Sequence, residues 1–77
     1  MAVKYDYSYL RGYIKEHFGS NRDFADFIGV GESALYDRLA SKVPFKQTEI
    51  DKVASERNLD ADDVMRLFFT RKVRKSV

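Results

Sequence analysis

Acid–base or metal chemistry needs titratable side chains in company, and the sequence offers few such groupings. His17 is the single histidine of 77 residues, placed beside Phe18 with no carboxylate pattern around it, so packing or surface duty is its expected role. Asp60-x-Asp62 has the opening of a calcium loop without its body. The sixth position is Met65 where the loop needs glycine, and the twelfth is Arg71 where it needs glutamate. With no cysteine there is no disulfide, thiolate metal site or thiol nucleophile, consistent with a reducing, cytoplasmic setting in which proteins keep few disulfides. Neither a glycine-rich phosphate loop nor a nucleophile with a base partner can be traced. The expectation is no enzyme, no metal, no cofactor and no small-molecule substrate.

The polar residues that are patterned suit recognition instead. Ser33, Tyr36, Asp37 and Ala40 fall at the i, i+3, i+4, i+7 positions of one helical face, with Gly31 and Glu32 at its start. On duplex DNA, Glu32 and Asp37 can accept from cytosine, Ser33 can bond either base type and Tyr36 can pack on a thymine methyl. Absent from this face are the Arg, Asn or Gln that pair with guanine and adenine, and both carboxylates would be repelled by phosphates. Backbone contacts would fall to Ser20, Asn21 and Arg22, and to Lys42, Lys46 and Gln47, all near expected helix starts where free amides and the helix dipole favour anions. Arg38 lies at the inner edge of the same helix and either reaches out to a phosphate or pairs with an acid of its own domain.

The elements that must position these residues are all helical in pattern. A first helix is expected from an Asp6 N-cap to about His17, with Leu10, Ile14 and Phe18 on one face and Gly19 as its stop. Ser20-Asn21-Arg22-Asp23 is a capping-box variant opening a second helix, whose inward stripe is Phe24, Ala25 and Ile28. Gly29, Val30 and Gly31 join it to a third, Glu32 to about Ala40, with Leu35 and Leu39 inward. Val43 before Pro44 favours extended backbone and hence a connector. A fourth helix follows from about Gln47 to Asn58 with Ile50, Val53, Ala54 and Leu59 inward. Asp60 caps a fifth, in which Val64, Met65, Leu67, Phe68 and Phe69 are apolar almost all round. Such a helix is buried on two sides or shared with another subunit, and Met65, Phe68 and Phe69 are the expected dimer seam.

The sum is one all-α domain over residues 1–77, a compact bundle of about five short helices. The N-terminal stretch from Met1 to Asp6 contains no apolar run resembling a signal peptide or membrane span. A formal charge of +2 conceals a split: Arg71, Lys72, Arg74 and Lys75 sit in the tail, and without them ten basic groups face twelve acidic ones, a balance of −2. A nucleic-acid binder is expected to concentrate positive charge, and only this basic tail, 71–77, does so plainly. It would either clamp phosphates or form a solvated end.

The spacing Phe24-Ala25-x-x-Ile28-Gly29-Val30-x-x-x-x-Leu35 is the specific signal. A small residue at 25 allows close helix approach, Gly29 can take the positive φ of a sharp turn, and Val30 and Leu35 lock the two helices together. Residues 20–40 thereby resemble the Cro/CI-type helix-turn-helix family of phage regulators, with Ala25, Gly29, Val30 and Leu35 at the family's signature positions. Through Lys42-Val43-Pro44-Phe45-Lys46-Gln47 and Phe68-Phe69, the resemblance extends to small Cro-like proteins of phages of Gram-positive hosts. It implies a lambda-repressor-like domain whose third helix presents Gly31, Glu32, Ser33, Tyr36, Asp37 and Ala40 to its target. Members act as operator-binding repressors or as modulators that inactivate the phage's own CI-type repressor. Duplex DNA is thus the leading expected partner, and a CI-type repressor met by protein–protein contact is the alternative.

Overall fold

The computed structural model describes residues 4–71, so the expected role of Lys72, Arg74 and Lys75 lies outside the described residues. Five helices follow one another: α1 (Ser8–His17), α2 (Asn21–Ile28), α3 (Glu32–Leu39), α4 (Gln47–Glu56) and α5 (Ala61–Phe68). The all-α bundle expected from the periodicity is the observed architecture.

Two starts and two stops show how local chemistry sets the boundaries. The Ser20 hydroxyl accepts from the Asp23 amide at 3.1 Å, as the capping pattern requires. At α5 the box closes both ways, the Asp63 amide donating to Asp60 at 2.8 Å and the Asp60 amide to Asp63 at 3.3 Å. Gly29 ends α2 at φ 82°, the left-handed conformation that glycine adopts without penalty. Asn58, expected inside α4, has φ 54° and forces that helix to stop at Glu56.

The start of α1 departs from expectation. The N-cap position falls on Tyr7, one residue past Asp6, whose amide donates to the Thr70 carbonyl at 2.6 Å while its carboxylate still serves the first turn, accepting from the Ser8 amide and hydroxyl at 2.9 and 2.6 Å. Residues 5–6 are thereby held against residues 70–71, where Tyr5 and Arg71 pair as an antiparallel bridge. The Ser41 hydroxyl joins this strap, accepting from the Tyr5 amide at 3.1 Å and donating to the Tyr5 carbonyl at 3.3 Å.

The core gathers Leu10 and Ile14 of α1, Phe24 of α2, Leu35 of α3, Val53 of α4 and Phe68 of α5, all essentially buried. Aromatic edges link it outward, with Tyr7 against Phe45 at 5.4 Å and Phe45 against Phe68 at 5.3 Å between ring centroids. Phe68 is only 2% exposed, which corrects its expected place in a dimer seam. The hydrophobic gain of burying this ring, about 1.5–3 kcal/mol, is already realised inside one chain. Met65 and Phe69 of that seam remain exposed.

Candidate recognition surface

α1 approaches α5 and α2, α2 approaches α4, and α4 approaches α5, whereas α3 comes into close approach with α2 alone. A helix so placed must bury a narrow stripe and can leave the rest to solvent. Its inward residues are Leu35, Arg38 and Leu39. Gly31, Glu32, Ser33, Tyr36, Asp37 and Ala40 are all exposed, so each residue of the expected face is open to solvent. Within it the Tyr36 hydroxyl donates to the Glu32 carboxylate at 2.9 Å, one turn apart, which fixes the ring along the helix.

Of the two roles open to Arg38, a phosphate contact and an ion pair within the domain, the structure shows the second and not the first. Arg38 is 6% exposed and its guanidinium is fully directed inward. Nε donates to Glu49 Oε1 at 2.9 Å, Nη2 to Glu49 Oε2 at 3.0 Å, and Nη1 to the Ala34 carbonyl at 3.1 Å. Glu49 also accepts from the Lys46 amide at 3.0 Å, so one buried carboxylate both starts α4 and anchors α3. The physical reason is solvation: a charged pair this deep persists only when each partner is hydrogen-bonded, and an outward Arg38 would strand Glu49. The outer face of α3 is consequently left with two carboxylates and no cation of its own.

The remaining expected phosphate residues fall in two places. Ser20 and Arg22 are exposed and Asn21 half-buried at the start of α2, while Lys42, Lys46 and Gln47 are exposed on the connector and first turn of α4. Arg11 was not singled out in the sequence. Its Nη2 donates to the Leu39 carbonyl at 3.5 Å, bringing a guanidinium from α1 to the end of α3. A 28-residue separation leaves no local pattern by which spacing alone would find it.

In this all-α bundle α3 approaches α2 alone and turns its polar side to solvent. Residues 3–71 match the family described as a protein of unknown function (DUF739), and the chain belongs to that family. No curated protein matches it. Among solved structures it is similar to the modulator of repression (MOR) of the temperate bacteriophage TP901-1 from Lactococcus lactis, known from a solution structure. That likeness has 37% identity and a TM-score of 0.69 over 91% of this chain and 95% of the other.

Proposed function

We propose that this protein is a phage modulator of repression, an antirepressor that binds the phage's CI-type repressor through the outer face of α3. The observation that carries the reading is the charge of that face. Glu32 and Asp37 stand exposed beside Tyr36, and the helix's only arginine is drawn inside to Glu49. Such a face repels a phosphate backbone and complements the basic surface with which a repressor meets DNA. The likeness to a modulator of repression supports the same reading. On this reading the protein acts in the bacterial cytoplasm, without cofactor or metal, and is not an enzyme.

A Cro-like operator-binding role is the second reading, favoured by the exposed Arg22, Lys42, Lys46 and Gln47 near the starts of α2 and α4. Titrating the protein against the repressor's DNA-binding domain, in parallel with gel shifts on the phage switch region, separates the two. A repressor complex at micromolar concentration, abolished by Glu32→Lys with Asp37→Lys, is the expected result. Absence of that complex, together with a preference for operator over random DNA, would overturn the antirepressor reading in favour of the second.

A further inference from the structure

Beside the end of α3 the chain leaves a notch of about 390 Å³, walled by Lys4, Tyr5, Ser8, Arg11, Ala40 and Ser41 among others. Ala40 belongs both to this notch and to the outer face of α3, so the two surfaces are continuous. We infer that the notch is the second pole of the recognition surface and takes a carboxylate side chain of the partner protein. This rests on the antirepressor reading and deepens it.

The chemistry is that of a small anion site. Arg11 spends one N–H on the Leu39 carbonyl, and its remaining donors have no partner among the described residues. A guanidinium held this way offers its free edge to a planar, two-oxygen acceptor. Lys4 stands exposed on the same wall and Lys42 is exposed just past the helix end. The Asp6 carboxylate of the notch is turned to Ser8.

Distance separates Glu32, though not Asp37, from the notch. From Glu32 to Ala40 a helix rises about 12 Å and from Asp37 about 4.5 Å, against a screening length of about 8 Å at physiological salt. A partner therefore meets acids along the outer face of α3, with Glu32 far from the notch and Asp37 bordering it, and a positive pole at the helix end. Duplex DNA, uniformly negative along both strands, can satisfy only the second. A protein surface carrying a basic group about 12 Å from an acidic one satisfies both, and the order of charges sets the direction in which it lies along α3.

Calorimetric titration of the full chain against the DNA-binding domain of the CI-type repressor tests this. Arg11→Glu should weaken binding about tenfold or more and Lys4→Glu about threefold, the scale of losing or reversing a charge pair at an interface. Arg11→Lys, which keeps the charge but not the two-donor edge, should bind between the wild type and Arg11→Glu. Lys4 makes no hydrogen bond within the described chain, so its variant reports on binding even if Arg11→Glu loosens α3. A carboxylate-to-Lys change in the repressor that restores binding to Arg11→Glu would identify the partner group. Wild-type affinity in both charge-reversed variants, while Asp37→Lys still abolishes the complex, would overturn the notch and leave the α3 reading standing. Loss of operator-DNA binding in Arg11→Glu without loss of repressor binding would make it a phosphate site and overturn it equally. If the wild-type protein forms no repressor complex, notch and antirepressor reading fall together.

Discussion

Arg38 and Glu49 hold the residue-scale lesson, because the charges that matter least to a partner matter most to the fold. Removing either leaves the other buried without a counter-charge, a loss of about 3–5 kcal/mol in a domain whose total stability is typically 5–15 kcal/mol. Arg38→Ala or Glu49→Ala should therefore lower the urea midpoint severely, and replacing both with apolar residues should recover much of it. Tyr36→Phe makes the opposite case. It deletes one exposed hydrogen bond to Glu32 and should leave the midpoint nearly unchanged while altering partner affinity. Alkaline stability has its own residue-level cause. Burial, and then Tyr5, push the Tyr7 hydroxyl above the ordinary tyrosine value. At Tyr13 burial raises it, with Arg57 opposing and Asp63 adding. As pH climbs past about 10 the unfolded chain gives up its phenolic protons first. The native state then holds more protons, and stability falls with rising pH. The contribution is whole below that range and is lost as pH passes the raised native values. Tyr7→Phe should flatten part of this alkaline decline in a pH series of thermal unfolding. The sequence left an ion pair within the domain open to Arg38, but neither its partner Glu49 nor the surroundings of Tyr7 were legible, since both are brought near by tertiary packing.

At the scale of elements, the sequence was most legible where structure is decided within four residues. Ser20 with Asp23, Asp60 with Asp63, and Gly29 each marked a helix end that forms where local chemistry placed it. The start of α1 was misplaced because Asp6 answers to Thr70, 64 positions away, and the end of α4 because Asn58 adopts a left-handed conformation that asparagine permits without announcing. The outward residues of α3 followed from a 3.6-residue period, whereas Arg11 at its end did not. The turn between α2 and α3 makes a clean test. A Cβ on Gly29 would meet nothing within 4 Å, so Gly29→Ala should cost only its left-handed backbone, about 1–2 kcal/mol. Leu35→Ala, which empties a fully buried site under α3, should cost about 2–5 kcal/mol. Chemical denaturation distinguishes these, and both variants should weaken partner binding less than Asp37→Lys where the fold survives.

For the whole molecule, the strap that joins Tyr5, Ser41 and Arg71 ties together the start, middle and end of the described chain through the backbone. Ser41 bears left-handed strain there, with φ 61°, offset by two hydrogen bonds to Tyr5. Ser41→Ala should lose both bonds and keep the strain, about 1–3 kcal/mol, while Ser41→Gly should lose less because glycine accepts that backbone. Comparing their urea midpoints checks the order. The strap also sets a sequence of events in time. Contacts between neighbouring helices such as α2 and α3 close short loops and form readily, while pairings spanning most of the chain come late. A chain leaving the ribosome would thus complete the acidic pole of α3 while the wall of the notch still waits for Thr70 and Arg71 to be made. The two poles of one surface mature at different moments, and a chain halted before Thr70 should carry the first without the second.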